Sequence, residues 1–198
     1  MIELILDFVS VNAFLALHPA KSLAEELGVE LKLTPMRTTS ELSYVKEISG
    51  DETPGDRHRR VRAEYTRRDA LRYAEVQGLD IAIDGRDAQS EIALRGLLAA
   101  NSINRGFDYA ANVFSKYWRG QLQVDAQEDI EAELSELGLA SFDVEDPRWD
   151  LEPVKMQLAE REIFVVPTFW VDGERYMGRQ HLPMIRWQLE RYQGPGPL

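Results

Sequence analysis

The chain of 198 residues contains no cysteine. That absence excludes disulfide staples, thiol nucleophiles, zinc–thiolate sites, iron–sulfur clusters and any dithiol redox cycle run by the chain itself. Basic residues are also in short supply. The 23 Lys+Arg stand against 34 Asp+Glu, a net charge of -11, which argues against nucleic acid or an anionic membrane as a main partner, since both select basic surfaces. No apolar run approaches the roughly 20 residues a membrane span needs. Met1 to Val9 has acids inside its apolar run and no cationic flank, unlike a signal peptide, so a cytoplasmic location is expected. His18, His58 and His181 are scattered without paired ligand spacing, so no metal is expected. Phosphate loops, dinucleotide fingerprints and Gly-x-Ser-x-Gly elbows are missing as well.

What remains is an ordinary globular composition, 44% hydrophobic and 29% charged. A chain of this length makes one large domain or one with an insertion, and buries about 70% of its unfolded surface. Residues 2–9 form a short apolar run that reads as a buried strand. Ser10 then precedes Phe14, Leu15, Leu17, Leu23, Ala24 and Leu27 at helical spacing, with Gly28 where a helix stops. Val29 to Leu33 alternates as a second strand ended by Pro35, which makes a β-α-β unit. From about 40 to 160 the pattern is helical. The spacing predicts helices over 57–77, 87–100, 107–118 and 125–137. Seven arginines between Arg57 and Arg72 crowd the first of these, whereas 125–152 is acidic; two solvated faces that pair with each other or with a partner are expected. Phe164-Val165-Val166 leads into Pro167 and the strand Thr168 to Val171, Asp172-Gly173 marks a hairpin, and Leu182 to Leu189 closes the chain as a helix. The expected fold is α/β and thioredoxin-like with an inserted all-helical domain. Residues 1–38 and 160–193 form the thioredoxin-like part, 39–159 the insertion, and 194–198 a tail.

Two points on this layout carry chemistry. Ser10 stands between the first strand and first helix, where free backbone N–H groups favour an anion. The plainer reading is a helix N-cap. At Val166-Pro167 a proline interrupts a strand; the bond is either cis, leaving the backbone of Val166 to pair with an extended ligand, or an ordinary trans bond on an edge strand. Trp118, Trp149 and Trp187 read as core or interface, and Trp170 as the best pocket candidate because it follows the proline. Asp69 beside Arg72 reads as an intrahelical pair.

Asp7-Phe8-Val9-Ser10, Tyr65-x-x-x-Asp69-x-x-Arg72-x-Ala74 with Gly78, Tyr117-Trp118, and Phe164-x-Val166-Pro167-Thr168-Phe169 through Gly178 follow one another in the order and spacing of a known family. Together they resemble the DsbA-like thioredoxin family, and within it the branch of 2-hydroxychromene-2-carboxylate isomerase and the kappa-class glutathione transferases. The resemblance implies a glutathione-dependent isomerase acting on a small conjugated or aromatic substrate by reversible thiolate addition. The nucleophile is then borrowed from the cofactor, which a cysteine-free chain allows. It implies Ser10 as the catalytic residue hydrogen-bonded to the glutathione sulfur, and a cis bond at Pro167. Val166, Pro167, Gln180 and His181 become cofactor-binding residues, and Lys46, Asp51, Asn12 and Trp170 substrate-binding ones.

This chain departs from the family pattern at several places. It reads Ser10-Val11-Asn12 where Ser-Pro-Tyr is usual, and Gly178-Arg179-Gln180-His181 where Gly-x-Asp-Arg is usual. Glu162 and Val165 replace two glycines. These departures favour the alternative, a catalytically inactive thioredoxin-fold binding module. The expected partner is a small molecule, with a homodimer as the oligomeric alternative to a monomer.

Overall fold

The computed structural model describes residues 1–38, 53–83, 88–139 and 141–197. The elements are β1 (Ile2–Leu6), α1 (Val11–Glu26), β2 (Leu31–Pro35), α2 (Pro54–Val76), α3 (Glu91–Ser102), α4 (Gly106–Trp118), α5 (Gln127–Glu136), α6 (Glu152–Glu160), β3 (Thr168–Val171), β4 (Glu174–Met177) and α7 (Leu182–Leu189). The sheet order is β2-β1-β3-β4, with β1 and β2 parallel and the other two pairs antiparallel. This is the α/β layout expected, β-α-β first and β-β-α last, with helices inserted between them. No helix among the described residues is long and apolar enough to cross a membrane.

Every residue of β1 is buried because the strand is central and both of its faces are covered. It ends at Leu6, three residues before the apolar run does. There the Asp7 carbonyl accepts from Ser10 N–H at 3.1 Å, turning the chain toward α1. Pro35 closes β2 instead of stopping it short, which an edge strand tolerates. β3 begins at Thr168, directly after the proline, and Phe164 and Val165 before it are exposed. The hairpin is as expected, with Asp172 at φ 49° and Gly173 at φ 87°, the positive values that a two-residue turn demands.

The helices α3, α4 and α5 pack onto β1 and α1 through one continuous apolar cluster. At its centre Phe114 stacks on Phe14 at 5.4 Å and meets Phe8 at 4.8 Å. Trp118 and Trp149 are buried in it.

Helix α2 is different, since only Ala70 and Ala74 of its 23 residues are buried. Two of its arginines, Arg59 and Arg68, pair with Asp56 and Glu64 of the same helix. What fixes its C-terminal end is a defect in α1. Pro19 lies inside that helix and has no N–H to offer the Leu15 carbonyl four residues back. The Gln77 side-chain amide donates to that carbonyl instead, at 3.0 Å. Gln77→Leu is therefore expected to lower stability by about 1 kcal/mol in urea denaturation, because the carbonyl loses its donor; an unchanged midpoint would show that water replaces the amide.

Candidate functional site

A cleft of about 940 Å³ lies between α2 on one side and the N-terminal turn of α1, the proline loop and the β4–α7 connection on the other. Helix α2 contributes Arg59, Arg62, Thr66, Asp69 and Tyr73. Their spacing of three and four residues puts them on one stripe of the helix. The opposite wall includes Asn12, Phe164 to Pro167, and Met177 to Gln180. The Val166–Pro167 peptide is cis. Among the described residues neither the N–H nor the C=O of Val166 takes part in a hydrogen bond, whereas the Pro167 carbonyl accepts from Gly178 N–H at 2.8 Å.

The inner end of the cleft is closed by Arg179. Its guanidinium pairs with Asp69, donates through Nε to Asn12 Oδ1 at 3.2 Å, and lies 3.5 Å from the centre of the Tyr73 ring. Three elements distant in the chain are thereby tied together: the start of α1, the middle of α2 and the turn before α7. Asp69 consequently reaches across the cleft, and not along its own helix to Arg72 as its spacing suggests. Arg179 is only 11% exposed at its side chain and Asp69 26%.

Ser10 stands behind this wall. It is 1% exposed, does not line the cleft, and its Oγ accepts from Ala13 N–H at 3.2 Å as the N-cap of α1. Asn12, two residues on, is the part of the α1 terminus that reaches the cleft. Gln180 also lines it, with its Nε2 donating to the Met177 carbonyl at 3.0 Å. His181 does not; its ring sits 6.1 Å from that of Tyr176. Trp170 is placed elsewhere too, packed with Ile5, Leu158 and Ile163 beneath the guanidinium of Arg161. Lys46 and Asp51 lie outside the described residues.

Two buried carboxylates frame β1. Asp7 accepts from Thr38 N–H at 2.6 Å, Thr38 Oγ1 at 3.0 Å and Val9 N–H at 3.4 Å. Burial pushes its carboxyl above the usual range, against the pull of those hydrogen bonds. Since Thr38 lines the cleft, Asp7 positions part of its wall. Glu3 lies at the other end of the strand. Burial pushes it up as well, but the Thr34 hydroxyl, Lys32 at 3.1 Å and Arg161 at 2.7 Å outweigh that and hold it below the usual range. An acid inside the apolar run 2–9 is the sequence signal for both.

The chain is similar to proteins of known name over nearly its full length. It is 25% identical over 194 residues to a 2-hydroxychromene-2-carboxylate isomerase of Pseudomonas sp. (strain C18), covering 93% of this chain and 88% of that protein. To the enzyme of that name from Pseudomonas putida it is 23% identical over 200 residues, covering 96% and 95%. Among solved structures, a 2-hydroxychromene-2-carboxylate isomerase superposes with a TM-score of 0.67 at 21% identity, covering 96% of this chain and 94% of that one. A probable DsbA oxidoreductase of Streptomyces coelicolor gives 0.68 at 16%, covering 100% and 92%. The sequence profile of the DSBA-like thioredoxin domain matches residues 1–190, and the chain belongs to that family.

Proposed function

We propose that the cleft is the site of a glutathione-dependent isomerase, of the 2-hydroxychromene-2-carboxylate isomerase kind, acting on a small conjugated or aromatic substrate. The observation that carries this reading is the unpaired backbone of Val166, exposed on the wall of the same cleft that receives the start of α1. An extended peptide finds a donor and an acceptor there, and Gln180 lies on the same side of the cleft. Bound glutathione would supply a thiolate for reversible addition to a conjugated double bond, so that rotation about the resulting single bond and elimination complete an isomerisation.

The chain's own residues do the rest. Val166 would hold the extended backbone of the tripeptide, and Gln180 its amino end. The N-terminus of α1 contributes positive partial charge, which favours a thiolate over a thiol. Ser10 supports that terminus as its cap, so its contribution runs through the helix. The aromatic rim formed by Phe164 and Tyr65 offers apolar surface to a conjugated substrate. A cytoplasmic location goes with this reading, since that compartment keeps glutathione reduced.

Calorimetric titration with reduced glutathione is expected to show weak binding. Gln180→Asp should tighten it by about one decade, because an ion pair between the ammonium and a carboxylate replaces a hydrogen bond from the ammonium to an amide oxygen. Addition of 2-hydroxychromene-2-carboxylate with glutathione should then give a protein-dependent change in ultraviolet absorbance. No heat of binding in either variant would defeat the reading. Binding without any conversion would favour a second reading, a binding module, to which the departures at Val11, Asn12 and Gln180 already point.

A further inference from the structure

The outer half of the cleft is cationic in a protein whose net charge is -11. Among the described residues its charged lining is Arg59, Arg62 and Arg179 against Asp69. These arginines are not equivalent. Arg179 is neutralised by Asp69, oriented by Asn12 and covered by Tyr73. Arg59 is held by Asp56 at 2.7 Å. Arg62 makes no hydrogen bond or ion pair among the described residues, although it stands on the cleft wall. From Arg62 to Asp69 is seven residues of helix, about 10 Å along its axis.

We propose that Arg62 is the receptor for a ligand carboxylate, so that the cleft accepts ligands in one direction only. The anionic end lies against the outer part of α2, beside Thr66, and the remainder of the ligand runs inward toward Asn12 and Val166. Arg179 is already neutralised by Asp69, so a second carboxylate placed there would meet a like charge. The site is thus polar along its length, open and cationic outside, closed and neutralised inside. A guanidinium in a partly enclosed cleft binds a carboxylate with two parallel donors, which fixes orientation as well as affinity. The proposal leans on the isomerase reading only for which end of the ligand reacts. The carboxylate itself is shared chemistry, since glutathione carries one at its glycyl end and an aromatic acid carries one of its own.

The test is calorimetric binding of two probe pairs: cinnamate against cinnamamide, and reduced glutathione against its glycyl ethyl ester. Each pair is titrated into the wild type, Arg62→Ala, Arg62→Lys and Arg57→Ala. Arg57 is an exposed arginine of the same helix that does not line the cleft, so it controls for general charge. In at least one pair the carboxylate should bind about tenfold more tightly than its neutral analogue in the wild type. Arg62→Ala should remove that preference while leaving the neutral probe unaffected. The lysine variant should keep part of it, and Arg57→Ala all of it. Which pair shows the effect assigns the carboxylate to substrate or to cofactor. No preference in the wild type, a preference that survives Arg62→Ala, or an equal loss in Arg57→Ala would overturn the proposal. These measurements need no turnover. Arg62-dependent binding without isomerase activity would therefore sink only the reading of function, and activity with Arg62-independent binding only this one.

Discussion

Arg179→Leu is expected to lower stability by about 2 kcal/mol and to loosen α2 from the wall opposite. The substitution keeps much of the volume but leaves the Asp69 carboxylate without its cation and removes the hydrogen bond from Nε to Asn12 Oδ1. A hydrogen bond to a charged group is typically worth about 1.5–3 kcal/mol. Because Asp69 retains 26% exposure, solvent compensates part of the loss and the upper end of that range is not reached. Urea denaturation of Arg179→Leu, Asp69→Asn and the double variant separates the pair from its surroundings. A coupling of about 1 kcal/mol identifies the ion pair as the cause. Additive losses would instead place the effect in the packing of Arg179 on Tyr73. Amide exchange in α2 should accelerate in both single variants, because so little apolar burial holds that helix otherwise.

Gly96→Ala is expected to destabilise by about 2–3 kcal/mol, the largest effect anticipated for a single methyl group in this fold. Helix propensity by itself predicts the opposite sign, a gain of about 1 kcal/mol for alanine over glycine. Packing decides the outcome. A Cβ at position 96 would stand 2.9 Å from Ile130 Cγ2 and from Tyr109 Cζ, and nearer still to the Tyr109 hydroxyl. Tyr109 is fully buried, and its hydroxyl donates to the Ala93 carbonyl at 2.9 Å, so it has nowhere to go. Thermal denaturation of Gly96→Ala reads the sign directly. Adding Tyr109→Phe should recover part of the loss by removing the nearest atom. A stabilised Gly96→Ala protein would mean that α3, α4 and α5 separate readily, contrary to the close approach described.

Features fixed by neighbouring residues were visible in the sequence. Ser10 announced the start of α1, Asp172-Gly173 the β3–β4 hairpin, and the spacing of Leu182 to Leu189 the last helix, because caps, turns and periodicity are local matters. The proline loop was visible for the same reason. Spacing points Asp69 to Arg72 at i,i+3, whereas its partner Arg179 is 110 residues away and no local pattern links the two. The depth of Ser10 was equally hidden. Whether a capping hydroxyl faces a cleft or the interior depends on how far the helix turns before its neighbours cover it, and here Asn12 is the residue left on the wall. The helix α6 leaves little trace in the sequence because its stretch buries only Leu158 and shows almost no apolar stripe. The stripe from Arg59 to Tyr73 was legible as spacing, but nothing in the sequence told which face of so polar a helix would look inward.

The scant burial of α2 makes one wall of the cleft a segment whose local opening requires comparatively little free energy. Any ligand held at once by Arg62 and by the proline loop would bridge that wall to the rest of the molecule, and would be released when the wall swings away. Occupancy and rigidity then become two readings of one equilibrium, linked by mass action. Ligand saturation slows the opening of α2, and whatever stiffens α2 slows the departure of the ligand.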